Sequence, residues 1–200
     1  MNSSEKFTVT PTQIEGVTVI EPKLLGDASG WFMESFNARD LVAALGSDIK
    51  FVQDNQSFSK QWTLRGMHFQ TKYPQGKLVR VLQGSIFDVV VDIRKNSMSY
   101  GKWFGIKLSA ENHKQIWVSP GLAHGFLVLS DAAEILYKTS EYYNPQSEVC
   151  LAWDDPDVGV SWPLPEGIEP ILSIKDKRGL PLNKLSCDVM AELHPMGQVK

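Results

Sequence analysis

Short stretches of alternating apolar and polar residues, each closed by a turn, run through most of this chain. Residues 1–25 alternate around Val17, Val19 and Ile20 with Gly16 in the break, which predicts an early strand pair. Gly26-Asp27-Ala28-Ser29-Gly30 has the composition of a turn and leads into an aromatic-rich strand over residues 31–36. A helical pattern follows: Leu41, Val42 and Leu45 share one face, Asn37 stands at the N-cap, Asp40 falls near the first amides and Gly46 closes it. Strands are then expected over residues 78–82, 86–93, 103–108, 115–118, 125–129 and 135–140, with turn residues every ten or so positions. No helical pattern intervenes between them, which argues against a parallel α/β arrangement and for an all-β sandwich or barrel.

The strand over residues 86–93 is informative by itself. Phe87, Val89, Val91 and Ile93 fall on one face, which belongs in a core. Ile86, Asp88, Val90 and Asp92 fall on the other, which fits a polar cavity or a solvent-facing edge. Beyond Trp153 the pattern dissolves into irregular chain around Asp154-Asp155-Pro156 and the Pro-rich run 162–167, with brief order again over 171–176. Residues 183–200 read as a short helix capped by Ser186 and stopped before Pro195, or as a frayed tail. The expected organisation is one domain over residues 1–182 and a tail over 183–200, with no internal repeat or low-complexity segment.

Composition narrows the class. At 200 residues, with 42% hydrophobic and 22% charged positions, the chain is long enough to bury a full core. A formal net charge of −3 without a Lys/Arg cluster argues against nucleic acid or an anionic membrane as partner. Two cysteines, Cys150 and Cys187, show no metal-site spacing and suggest no disulfide scaffold. The N-terminal residues carry no secretory pattern, so a cytoplasmic protein is expected.

The chemistry concentrates in residues 51–81. Gln53, Asp54 and Asn55 come first, then Arg65 and His68 in Leu-Arg-Gly-Met-His, then Lys77 at the head of a strand. His68 follows Gly66, where the backbone can bend; a satisfied structural histidine is the competing reading. His124 sits in Pro-Gly-Leu-Ala-His-Gly-Phe, a turn of the kind found in cupin barrels, where the histidine points inward. Metal-binding cupins pair two histidines one residue apart, but the second position here is Gln70, a poor ligand, and His113 and His194 are not obvious replacements. No metal or other cofactor is expected. Proton transfer then falls to side chains, with histidine as base near neutral pH. A carboxylate should hold its ring, with Asp88, Asp92, Asp155 and Asp176 all candidates. Tyr137, Tyr142 or Tyr143 would supply an acid on the opposite face. Lys77 would meet developing oxyanion charge or, as the alternative, end a strand in solvent.

FVQDNQSFSK, LRGMHFQ, QGKLVRV, FDVVVDIR, YGKWFGIKLSAEN, PGLAHGFLVLS, LYKTSEYYNP, WDDPDVGVSWP and ILSIKD, in that order, resemble the dTDP-4-dehydrorhamnose 3,5-epimerase family over about Val17 to Leu182. The resemblance implies a cupin-type jelly-roll barrel with a few short helices, a homodimer with an exchanged N-terminal strand, and metal-free epimerisation of a dTDP-linked 4-keto-6-deoxyhexose. It implies His68 as base, Asp176 as its carboxylate, Lys77 as enolate stabiliser and Tyr137 as acid. It places Glu34, Gln53, Asp54, Asn55, Arg65, His124, Glu148 and Lys175 against the sugar nucleotide. Two positions depart from the pattern: Ser29 replaces an arginine that reaches the pyrophosphate, and Trp62 replaces a glycine. The first implies altered affinity for the dTDP sugar or use of a related nucleotide. Epimerisation of a single carbon, and a sugar-binding cupin without catalysis, are the competing functions.

Overall fold

The computed structural model describes residues 6–46 and 49–185. Among these described residues, fourteen strands and one α-helix follow in chain order: β1 (Phe7–Pro11), β2 (Val17–Pro22), β3 (Leu25–Asp27), β4 (Gly30–Phe32), α1 (Ala38–Leu45), β5 (Gln53–Lys60), β6 (Thr63–Gln70) and β7 (Lys77–Gln83). Then come β8 (Ser85–Asp92), β9 (Trp103–Ser109), β10 (Gln115–Val118), β11 (Leu122–Val128), β12 (Ala132–Thr139), β13 (Glu148–Cys150) and β14 (Ile171–Leu172). One sheet runs β1-β2-β10-β7-β12-β5 and the facing one β13-β6-β11-β8-β9, with β14 pairing alongside β6. This is the expected all-β jelly roll.

The period-two alternation explains the layers. Val79, Val81, Ile116, Val118 and Ile135 from the first sheet meet Ile86, Val90, Leu108, Leu122 and Phe126 from the second, forming the core between sheets. The outer face of the first sheet carries Ile20, Leu78 and Trp117, and α1 covers them with Leu41, Val42 and Leu45. That helix forms as its sequence predicts. The Asn37 side chain accepts from the Asp40 N–H, and Gly46 ends the helix in left-handed backbone at φ 67°.

Both faces of β8 are buried. Val89, Val91 and Ile93 pack with Met67 and Phe69 under Leu151, Val158, Leu182 and Leu185, so the irregular C-terminal chain roofs the second sheet. Asp155 holds that roof by accepting from the N–H groups of Asp157, Val158 and Leu182. Trp162 donates its indole N–H to the Trp153 carbonyl at 2.8 Å. The roof matters because it carries Asp176, in a 3-10 turn over Asp176–Arg178, back to β6.

Three expectations change. The strand expected over residues 31–36 is a short hairpin, β3 with β4, because Asp27 accepts from both N–H and hydroxyl of Ser29 and tightens the turn. The strand expected over 125–129 begins earlier, at Leu122, paired along its length with β8. Strands β13 and β14 have only three and two residues, too few to show an alternating pattern. The helix expected after Ser186 lies outside the described residues. Trp62 turns the chain between β5 and β6 at φ 58°, a left-handed conformation that favours glycine, which accounts for the glycine of the resembled pattern. Among the described residues, no helix is long and apolar enough to cross a membrane.

Candidate active site

A cavity of about 400 Å³ opens between the two sheets at one end of the barrel. From the first sheet β5 contributes Gln53, Asn55 and Ser57, β7 contributes Lys77 and Val79, and β12 contributes Ile135 and Tyr137. From the second come Arg65 and His68 of β6, His124 and Phe126 of β11, and Glu148 of β13; Lys175 and Tyr143 stand at the mouth.

A local irregularity sets the wall of β6. Positions 65 and 68 would face opposite sides of a regular strand. Gly66, at φ 125°, breaks the alternation, and the register against β11 shifts between His124 and Phe126. Arg65 and His68 therefore both face the cavity. The two strands approach closely there: a side chain at Gly66 would put its Cβ 2.6 Å from the Gly125 Cα. His68 and His124 are then direct cross-strand neighbours.

Each histidine is held by a carboxylate. His68 Nε2 lies 2.6 Å from Asp176 Oδ1, and His124 Nε2 lies 2.9 Å from Asp88 Oδ2. Asp176 also accepts from the Ser173 hydroxyl at 2.6 Å and the Gly66 N–H at 3.2 Å. Burial alone would raise its carboxyl, but the bonds from His68, Ser173 and Gly66 outweigh burial and hold it at about 2. An ionised Asp176 makes Nε2 the protonated nitrogen, so Nδ1 keeps the lone pair. Burial pushes the His68 imidazole below its ordinary value. Asp176 pulls the other way, and the charges of Lys175 and Lys77 reinforce the depression. On balance the surroundings favour the neutral ring.

The opposite wall carries groups of complementary character. Burial lowers Lys77 to about 8, with Glu148 and Asp88 opposing, and its Nζ donates to the His68 carbonyl at 3.4 Å. Burial and the Glu148 charge raise the Tyr137 phenol, which keeps its proton. On the His68 side, Arg65 is fixed by its Nε donating to Ser59 Oγ at 2.9 Å. At the mouth, Glu148 accepts from Lys175 at 2.8 Å and from the Tyr143 hydroxyl at 2.9 Å.

Two expected contacts lie elsewhere on the chain. Asp54 falls between Gln53 and Asn55, so strand alternation turns it outward, where it pairs with Lys138 at 2.9 Å. Glu34 is outside the cavity, bound to Lys6 at 3.1 Å beside Asp40. Asp92 is also structural, accepting from Arg94, Ser97 and Ser99. Gln70, at the second position of the cupin metal pair, donates to the Tyr73 and Tyr142 carbonyls and accepts from the Asn144 N–H, so it braces loops. His113 packs against Trp31 in a turn, and His194 lies outside the described residues.

Sequence reasoning missed three neighbours of the site. Ser57 Oγ is buried at the cavity wall without a protein partner, and Gln75 also lines the cavity. The alternation Gln53, Asn55, Ser57 could have found the first. Cys150 lies directly across from His68 in β13, and no local signal marks that pairing.

The sequence profile of the dTDP-4-dehydrorhamnose 3,5-epimerase family matches residues 11–184. The enzyme of that name from Escherichia coli is 50% identical over 180 residues, covering 90% of this chain and 96% of the relative. Its counterpart from Methanothermobacter thermautotrophicus is 46% identical over 179 residues, with 90% and 96% covered. The crystal structure of dTDP-6-deoxy-D-glucose-3,5-epimerase RmlC from Legionella pneumophila, in complex with dTDP-4-keto-L-rhamnose, superposes with a TM-score of 0.88. Its identity is 45%, with 96% of this chain and all of that chain covered. On sequence, fold and coverage together, the chain belongs to the dTDP-4-dehydrorhamnose 3,5-epimerase family.

Proposed function

We propose that the cavity epimerises C3 and C5 of dTDP-4-dehydro-6-deoxy-D-glucose, giving dTDP-4-dehydro-L-rhamnose, with His68 as base and Tyr137 as acid. The observation that carries this reading is the placement of the two groups. His68, backed by Asp176, stands on β6 of one sheet, and Tyr137 stands on β12 of the other, across one cavity. Inversion at carbon needs a proton removed from one face and returned to the other.

The 4-keto group makes the neighbouring C–H bonds acidic. Nδ1 of His68 takes the proton, and Asp176 stabilises the imidazolium that forms. The electron pair left at carbon delocalises onto the ketone oxygen, where the Lys77 ammonium meets the charge in a site walled from bulk water. Tyr137 then delivers a proton from the opposite side. Arg65, His124, Gln53 and Asn55 present donors and acceptors to the sugar and its phosphates, with Lys175 near the mouth. Glu148 fixes Lys175 and Tyr143. A second cavity, lined by Tyr73, Tyr142 and Tyr143, adjoins the first through Tyr143 and offers aromatic surface to the nucleobase.

The reading extends to a homodimer. Leu25 and Trp31 with Phe32 on the β3–β4 hairpin are exposed apolar side chains, and β1 is an edge strand of its sheet. Glu34 and the Ser29 turn, outside this chain's cavity, would reach substrate from the partner. Sedimentation at micromolar concentration should give twice the chain mass; a monomer would remove those two positions from the site.

Solvent deuterium incorporation with the dTDP-4-keto sugar, followed by NMR, tests the reaction. Label at both C3 and C5 is expected, whereas label at one carbon would make the chain a single-carbon epimerase. His68→Asn should abolish turnover while the nucleotide sugar still binds. Surviving turnover would overturn the role of His68, and binding by a wild-type chain that exchanges nothing would leave a sugar-binding cupin.

A further inference from the structure

Cys150 places a third metal-binding group beside the dyad. Its Sγ lies 4.0 Å from Asp176 Oδ1, and one ligand atom each from His68, Cys150 and Asp176 fall within 4.8 Å of one another. The arrangement follows from register: Cys150 faces His68 across β13 and β6, while the 3-10 turn brings Asp176 in from the roof. We propose that Nε2 of His68, Sγ of Cys150 and a carboxylate oxygen of Asp176 bind a borderline-soft divalent cation, Zn²⁺, and that the ion switches the base off. The inhibitory half rests on the reading of His68 as the base.

The ligand set suits Zn²⁺ in three respects. Imidazole nitrogen, thiolate and carboxylate are the groups it takes, and three protein ligands leave the fourth tetrahedral position to a water. Tetrahedral Zn²⁺ with bonds of about 2.0–2.3 Å separates its ligand atoms by about 3.3–3.6 Å. The 2.6 Å His68–Asp176 contact must therefore open by about 1 Å or less, while the sulfur closes from 4.0 Å on Asp176 and from within 4.8 Å on His68, a shift of up to about 1.3 Å. Charge also balances. The ion brings two positive charges, Asp176 is ionised, and Cys150 becomes a thiolate by releasing its proton to solvent, so the filled site is neutral where burial penalises net charge.

Inhibition follows from the tautomer. In the free enzyme Nε2 carries the ring proton toward Asp176, and Nδ1 has the lone pair. Coordination at Nε2 requires its lone pair, so the ring proton moves to Nδ1. That nitrogen can then accept nothing from the sugar. Cys150 thus makes the dyad sensitive to a metal that the proposed reaction does not use.

The test uses the whole protein with the second thiol removed, Cys187→Ser. Titration with Co²⁺ as a spectroscopic substitute should produce a thiolate-to-metal charge-transfer band. Calorimetry should show one Zn²⁺ per chain with release of one proton. Zn²⁺ should suppress deuterium exchange, and a chelator should restore it. Cys150→Ala should lose the charge-transfer band, weaken Zn²⁺ binding by on the order of 100-fold, and keep its own metal-free rate at Zn²⁺ concentrations that silence Cys187→Ser. Absence of the band in Cys187→Ser, or undiminished Zn²⁺ binding in Cys150→Ala, would overturn the site, and the first holds even if the Cys150 variant does not fold. A cobalt band with unimpaired exchange would instead keep the site and overturn His68 as the base.

Discussion

Asp176 Oδ1 stands 2.6 Å from His68 Nε2, across 108 residues of sequence. The contact exists because the C-terminal roof lies along β6. β14 pairs in parallel with Thr63 and Leu64, and the turn after it delivers the carboxylate behind the ring. Asp176 is 2% exposed, so its charge is answered by His68, Ser173 and Gly66 rather than by water.

Removing that charge should therefore damage the base without emptying the site. Asp176→Asn is expected to lower kcat by roughly 10²–10⁴-fold, with KM changed far less, because the ring loses both its tautomer and the partner of its imidazolium. Steady-state kinetics decide it; a loss below tenfold would leave Asp176 a structural role only.

Tyr137→Phe separates the two proton transfers. His68 still removes a proton and returns one from the same face, so the expected result is deuterium entering the substrate without net inversion. Normal product formation would assign the acid to another group, Tyr143 being the other phenol that lines the cavity.

The pH profile of kcat/KM should be bell-shaped. Activity needs neutral His68, whose pKa is depressed by burial, so the acid limb inflects below 6.5 and activity is full above it. Activity also needs the Lys77 ammonium, lowered to about 8, so the alkaline limb falls through that value. Because Asp176 raises the His68 pKa, Asp176→Asn should move the acid inflection lower still. Lys77→Arg keeps its charge at high pH and should flatten the alkaline limb; an unchanged limb would exclude Lys77 as its source.

Gly125 is a steric requirement of the β6–β11 approach. A Cβ there would sit 2.6 Å from the Arg65 carbonyl and 2.7 Å from Met67 Sδ. Gly125→Ala should cost about 1–3 kcal/mol and lower Tm by several degrees in calorimetry, with kcat falling as the two histidines separate. An unchanged Tm would show that the strands can part freely.

What the sequence determined by itself is local. Alternation marks most of the strands, Asn37 and Gly46 bound the helix, and the Leu-Arg-Gly-Met-His and Pro-Gly-Leu-Ala-His-Gly runs flag the two cavity histidines. The outward orientation of Asp54 was legible too, since it alternates with Gln53 and Asn55. Partnership was decided by tertiary structure. Four aspartates were equal candidates on residue type; sheet order gives Asp88 to His124, the loop after β8 takes Asp92, the roof uses Asp155, and Asp176 alone reaches His68. The same holds for Cys150, whose place beside the dyad comes from its register against β6. Side-chain direction along a strand depends on neighbouring residues, whereas which carboxylate or thiol meets a given ring depends on pairings between distant segments, made only when both sheets and the roof have assembled.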